Sequence, residues 1–81
     1  MIVEADIRVQ RQVQAMVERV LERWGRLDVM VCNAALYHRA PFLEIQESDW
    51  RAVLDTNITG TFLCAQAAAR AMVKLGIGGR I

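Results

Sequence analysis

The chain has 81 residues, a formal net charge of +1 and 54% hydrophobic residues. So balanced a charge excludes the electrostatic footprint of a nucleic-acid or anionic-membrane binder, and no apolar run reaches the length of a membrane span. Five glycines bring the apolar share to about 60%, against about 45–50% for an ordinary globular domain, so the chain reads as the middle of a larger α/β domain. At this length it is one domain at most, and alone it would bury only about 60–65% of its unfolded surface.

Ile2-Val3 reads as the tail of a strand, and Glu4 and Asp6 interrupt the start too soon for a signal peptide. A helix follows from about Val9 to Trp24. Val9, Val13, Met16, Val17, Val20, Leu21 and Trp24 recur at the spacing of one helical face, with Gln10, Arg11, Gln14, Glu18, Arg19, Glu22 and Arg23 opposite. Asp6 is placed to cap its start, Gly25 to stop it, and Glu22 is spaced to pair with Arg26.

Leu27-Asp28-Val29-Met30-Val31-Cys32 is a short apolar run of the kind buried on both faces of a parallel sheet, ending in the small polar turn Asn33-Ala34-Ala35. A loop from Leu36 to Ile45 carries Tyr37, His38, Arg39 and the only proline, Pro41; it reads as solvated. A long helix then spans about Ser48 to Leu75, roughly 42 Å if straight, with Trp50, Val53, Leu54, Asn57, Ile58 and Thr61 on one stripe. Gly76-Ile77-Gly78-Gly79 follows a helix instead of opening one, so it is a helix stop and not a phosphate loop. Arg80-Ile81 begins another strand. Trp24 and Trp50 fall on apolar stripes and are expected in the core. Cys32 and Cys64 are expected as two buried thiols without a disulfide, which favours a cytoplasmic location.

Strand, helix, strand, helix and strand start in that order imply a parallel sheet covered by helices. Ligands of such sheets sit beyond the carboxyl ends of the strands, where Asn33-Ala34-Ala35 lies. Its small side chains let a flat ligand lie against the backbone, and its asparagine both donates and accepts hydrogen bonds. Taken alone, Asn33 would be an ordinary turn residue, and Asn57 a mildly unfavourable residue inside a helix.

Together the pieces resemble the middle of a short-chain dehydrogenase/reductase. The resemblance rests on Asp6-Ile7 after the first strand end, Trp24 to Asp28 leading into the second strand, and Cys32-Asn33-Ala34-Ala35 in place of the family's Asn-Asn-Ala-Gly. It continues with Asp55-Thr56-Asn57-Ile58-Thr59-Gly60-Thr61-Phe62 and with Gly78-Gly79-Arg80-Ile81, and it covers nearly the whole chain. It implies a partial Rossmann-type, doubly wound parallel sheet. The order would be the end of strand 3, a helix, strand 4, the long helix and the start of strand 5, with residues 1–81 as the central part of an NAD(P)-binding domain, incomplete at both ends. It further implies that Asp6 contacts the adenine amino group beside the backbone of Ile7. Asn33, Ala34 and Ala35 would line the adenosine ribose, and Asn57 would be the tetrad asparagine whose backbone carbonyl holds a water at a bend in the helix. The cofactor would be NAD or NADP, the substrate a small alcohol or ketone, and the assembly a homo-oligomer formed through the 48–75 helix, with no nucleic acid, membrane or metal involved.

The chain departs from the family at Cys32 and at Ala35, where the added methyl restricts positive φ. No glycine precedes Gly25, so the phosphate loop cannot be formed by these residues. Tyr37 and Lys74 are the only tyrosine and lysine, too far apart for the family's Tyr-x-x-x-Lys acid/base pair, and Ser48, the only serine, starts a helix. In the family's strand order, 3-2-1-4-5, strands 3 and 4 are not neighbours, so apolar faces would stay uncovered. The chain alone is expected to be inactive and insoluble, molten or rescued by a partner. The second reading is a truncated, non-enzymatic interaction piece that pairs through the long helix.

Overall fold

The computed structural model describes residues 1–81. Its regular structure is helical: α1 (Gln10–Trp24), α2 (Glu47–Leu54) and α3 (Thr61–Leu75), with a 3-10 turn at Phe42–Glu44 and a π-turn at Asp55–Gly60 joining α2 to α3.

The apolar stripe of α1 does what its spacing dictates, burying Val13 and Val17. Gly25 ends the helix in the left-handed conformation at φ 73°, its N–H donating to the Leu21 carbonyl at 2.7 Å; only glycine takes that conformation without strain. The start differs from the expectation. Asp6 does not cap the helix with its side chain: Val9 precedes the first turn in extended conformation with no side-chain cap. The Asp6 carbonyl accepts from the Val9 N–H at 3.0 Å, because the carboxylate is drawn to Arg8 instead.

The expected 48–75 helix is present but not uniform. Leu54, Asp55, Gly60 and Thr61 all keep right-handed helical dihedrals, so α2, the π-turn and α3 form one continuous rod with a widened turn at its middle. It closes on a two-bond C-terminal motif. Gly76, at φ 67°, donates its N–H to the Val73 carbonyl at 3.1 Å, and the Ile77 N–H reaches the Met72 carbonyl at 2.8 Å.

The core lies between α1 and α3, where Val13, Val17, Cys64, Ala68, Ala71 and Met72 are buried. Two alanines among them let the helices approach closely, and Ala68 is wholly covered. Trp24 and Trp50 are not in this core; both are 56% exposed, since their faces point away from the α1–α3 seam. Trp24 instead carries the Arg23 guanidinium over its ring at 6.0 Å, within cation–π range. The radius of gyration is 14.9 Å, against about 12 Å for a compact domain of this length, so much of the apolar surface faces outward.

The segment Leu27 to Cys32 is the largest difference from the sequence reading. It pairs at a single parallel bridge between Val29 and Arg80. There the Met30 N–H donates to the Arg80 carbonyl at 3.0 Å and the Arg80 N–H to the Asp28 carbonyl at 2.9 Å. This is the pairing direction expected of strands 4 and 5, reduced to one rung, and Ile2-Val3 pairs with nothing. Val29 is 58% and Val31 76% exposed, and Cys32 is exposed rather than buried, because one helical layer covers one side and no neighbouring strands cover the rest. A methyl group on Gly79 would meet the Asp28 carbonyl oxygen at 2.8 Å and the Met72 side chain; glycine lets the bridging segment pass between them. Arg26 pairs with Asp28 rather than Glu22, through Nε and Nη2. No helix is long and apolar enough to cross a membrane.

Candidate functional site

Beyond the bridge, the chain leaves Cys32 and enters Asn33-Ala34-Ala35. Ile7, Met16, Met30, Asn33, Ala34 and Thr61 help to line an apolar cleft of about 180 Å³ between this segment and the two packed helices. Ile7 reaches it from the turn before α1 and lies against Gly60: a methyl on Gly60 would sit 2.6 Å from the Ile7 Cγ1 and Cδ1 atoms. Glycine in the middle of a continuous helix lowers its stability; here it makes room for Ile7.

Asn57 stands inside the π-turn and ties the helix to the turn. Its Oδ1 accepts from the Leu36 N–H at 2.7 Å, and its Nδ2 donates to the Leu36 carbonyl at 2.9 Å. A planar amide offers one donor and one acceptor side by side, so it satisfies both backbone groups of a single residue. That clamp holds the chain immediately after Ala35. A π-turn is a rare element, found mostly as single turns within α-helices and frequently at functional sites.

Asp6 precedes Ile7 in the chain but is not among the residues that line the cleft. Its carboxylate accepts from Arg8 Nε at 3.0 Å, from Nη2 at 2.7 Å and from the Arg8 backbone N–H at 3.0 Å. These bonds favour the charged form and hold the Asp6 pKa down at about 2, leaving it an ionised acceptor at neutral pH. Its own N–H donates to Gln12 Oε1 at 2.8 Å, which fixes the backbone of Asp6 to α1. His38 in the following loop faces Asp49 of α2 at 3.5 Å, both partly exposed.

Of the residues picked out in sequence, Ile7, Asn33 and Ala34 thus share one cleft. Asn57 is clamped to the neighbour of Ala35, whereas Asp6 is bonded to Arg8 and Gln12 and does not line the cleft. Ala35 is exposed and makes no side-chain contribution to the cleft. Sequence reasoning gave Leu36 and Arg8 no role, and Gly60 a place in the motif but no packing role. A glycine inside a strong helical pattern was the available signal for Gly60, and a guanidinium two residues after a carboxylate that for Arg8. Nothing local marked Leu36, because it takes part through its backbone.

The family model described as short chain dehydrogenase matches residues 1–81. The chain is 48% identical over 64 residues to YohF, an uncharacterized oxidoreductase of Escherichia coli (strain K12), covering 79% of this chain and 25% of that protein. It is 42% identical over 80 residues to glucose 1-dehydrogenase 2 of Bacillus subtilis (strain 168), covering 98% and 31%. The fold superposes on the crystal structure of a short-chain type dehydrogenase/reductase from Mycobacterium marinum with a TM-score of 0.92 at 39% identity, over 95% of this chain and 31% of that one. NAD+-bound xylitol dehydrogenase superposes with a TM-score of 0.85 at 27% identity, over 94% and 30%, and ElxO with NADPH bound with 0.82 at 30%, over 93% and 31%. The chain therefore spans between a quarter and a third of the length of the proteins it resembles.

Proposed function

The chain belongs to the short chain dehydrogenase family, and on that premise we propose that it is the adenosine side of a nicotinamide-cofactor site in an oxidoreductase acting on a small alcohol or carbonyl compound. Residues 1–81 form the central part of an NAD(P)-binding Rossmann domain, and the Val29–Arg80 rung is where its strands 4 and 5 meet. The observation that carries this reading is spatial. Ile7 and the Asn33-Ala34 pair are far apart in sequence, yet they line one cleft beyond the bridge, and Asn57 is bonded to Leu36 in the chain that follows.

The residues present fit the adenosine half of such a cofactor. Asp6, ionised and tethered by Arg8, would accept from the exocyclic amine of an adenine, with the backbone of Ile7 beside it. The small side chains of Ala34 and Ala35 leave the backbone open to the ribose, and Asn33 offers its amide there. Asn57 positions that turn through its side chain and leaves its backbone carbonyl, inside the π-turn, to hold a water. When bound, the nicotinamide supplies or accepts the hydride. These residues orient the other end of the cofactor and carry no acid/base pair of their own. Among the structures similar to this chain, one carries NAD+ and one NADPH; in this reading the cofactor is NAD or NADP.

The chain by itself is inactive in this reading. Sequencing the coding region on both sides is the direct test: an in-frame glycine-rich loop upstream and a Tyr-x-x-x-Lys downstream are expected, and in-frame stops on both flanks would refute it. Titrating NADH into the 81-residue chain, read by the fluorescence of Trp24 and Trp50, is expected to give no saturable binding; micromolar affinity would overturn the claim of inactivity.

A second reading draws on the outer face of the long helical rod. Trp50, Leu54, Ile58 and Phe62 recur every fourth residue and are all exposed, from 37% to 64%. The stripe suits pairing with a second copy of the same rod, as a homo-oligomer of the complete enzyme or as a non-enzymatic interaction piece. Sedimentation of the chain would show a dimer that Phe62→Glu converts to monomer. Both forms of the reading fit a cytoplasmic protein.

A further inference from the structure

We propose that Arg8 and Gln12 are positioning residues for cofactor recognition: they lock Asp6 and Ile7 in advance as the acceptor and donor that select an adenine base. The proposal rests on the adenosine reading above and adds to it the two side chains that set the geometry. Asp6 is held at all three of its polar groups. Its N–H donates to Gln12 Oε1 at 2.8 Å, and its carbonyl accepts from the Val9 N–H at 3.0 Å. Its carboxylate takes the Arg8 fork, Nε donating to Oδ1 at 3.0 Å and Nη2 to Oδ2 at 2.7 Å, together with the Arg8 backbone N–H to Oδ1 at 3.0 Å. Every one of these partners lies within six positions of Asp6. The lock is therefore made by local sequence and does not depend on the layers that cover the sheet.

The lock leaves a definite remainder. An ionised carboxylate has about four acceptor sites. Three N–H groups use three of them, two on Oδ1 and one on Oδ2, with Nε also reaching Oδ2 at 3.2 Å. The open site is on Oδ2. The Arg8 bonds also keep the carboxyl ionised, so it can only accept. The next residue contributes the donor: the Ile7 N–H makes no hydrogen bond within the chain, and its side chain lines the cleft. An acceptor followed by a donor matches the edge of adenine, whose exocyclic amine donates and whose N1 accepts. Hypoxanthine carries an oxo group and an N1–H there, the reverse order, so it would set acceptor against acceptor and donor against donor. Without Arg8 the carboxylate turns about its own side-chain bonds, and without Gln12 the backbone at Asp6 loses its tie to α1. In either case the cost of ordering the pair falls on binding. Neither side chain needs to touch the base; both act through Asp6 and Ile7.

The test is a fluorescence titration of the full-length protein that carries these residues. The probes are NADH and NADPH, each compared with its hypoxanthine analogue. The ratio of the two dissociation constants is taken within each variant, so a variant that folds poorly still reports. The unsubstituted protein is expected to prefer the adenine form. Arg8→Ala and Gln12→Leu should each shrink that preference by about tenfold while binding of the hypoxanthine form changes little. Arg8→Lys, which keeps the charge and loses the fork, should retain part of the preference. In an Asp6→Asn background, Arg8→Ala should have no further effect. A preference lost in Asp6→Asn but intact in Arg8→Ala and Gln12→Leu would overturn the proposal and leave the adenosine reading standing. A preference intact in Asp6→Asn, or absent from the unsubstituted protein, would overturn both. Equal weakening of the two cofactor forms would reduce Arg8 and Gln12 to structural residues and overturn the proposal alone.

Discussion

The α1–α3 seam and the segment from Leu27 to Gln46 are held by different physics. In the seam, Val13, Val17, Cys64, Ala68 and Met72 exclude water and pack by area, with no polar bond between the two helices required. The segment opposite buries none of its residues. It is held by one parallel rung at Val29 and Arg80 and by the two hydrogen bonds between Asn57 and Leu36. A net hydrogen bond contributes about 0.5–1.5 kcal/mol, whereas fully burying one valine contributes about 1.5–3 kcal/mol. The candidate site thus sits on a weakly tied segment carried by a firmly packed pair of helices, the usual division between scaffold and functional loop.

That contrast can be broken most completely at Val13. Replacing it with Asp buries an unpaired carboxylate, at a cost of about 3–5 kcal/mol, and helicity measured by circular dichroism should collapse for α1 and α3 together; unchanged helicity would deny the seam its role. Asn57→Ala should do the opposite. It removes both bonds to Leu36, so hydrogen exchange at the Leu36 amide should speed by about tenfold or more, the equivalent of about 1.4 kcal/mol, while amides of α1 and α3 keep their protection. Asn57→Asp keeps the acceptor and loses the donor, and should fall between the two.

Gly60 is where the two regions touch. Alanine there gains about 1 kcal/mol of helix propensity but meets Ile7 at 2.6 Å. Urea melts should show Gly60→Ala stabilising when Ile7 is also Ala and much less so, or destabilising, when it is not, with a coupling of about 0.5–3 kcal/mol. Additive effects would remove Ile7 from the cleft. The smallest effect concerns Asp6. Its pKa is lowered from 3.8 to about 2 by the Arg8 bonds. The stabilisation this gives is therefore present above about pH 4 and lost as pH falls through about 2. NMR titration of the Asp6 carboxyl should show Arg8→Ala returning it toward the ordinary carboxylate range; a pKa still near 2 would mean that the Arg8 side chain is not its cause. The pair is exposed, so added salt should weaken the effect.

What the sequence made legible was the part governed by periodicity and by glycine. Val13 and Val17 announced the buried face of α1, and Gly25 and Gly76 announced helix ends that the left-handed conformation confirms. Chain order and motif spacing carried the family. What periodicity could not convey was which apolar residues find a partner. Val29, Val31, Trp24 and Trp50 have core character but are exposed, because burial depends on neighbouring layers and not on the residue. Cys32 was misplaced for the same reason. At the site, Asn57 was identified by its motif, but the side-chain clamp to a backbone 21 positions away is a tertiary fact. Arg8 escaped notice because it differs from any other surface arginine only in having Asp6 within reach.

The widened turn at Asp55–Gly60 sets the phase of everything after it. Each residue of an α-helix advances the side chains by about 100°, and the widened turn takes up one residue more than an α-turn, so regularising it to an α-turn at constant length would rotate the second half by roughly that angle. Cys64, Ala68 and Met72 would swing off α1, and Phe62 would leave the stripe begun by Trp50 and Leu54. Outside the turn the helix tolerates conservative exchange of one residue for another. Inside it, the widened geometry matters as much as the identity of the residues, and a point change that converts it to an α-turn should disturb the seam with α1.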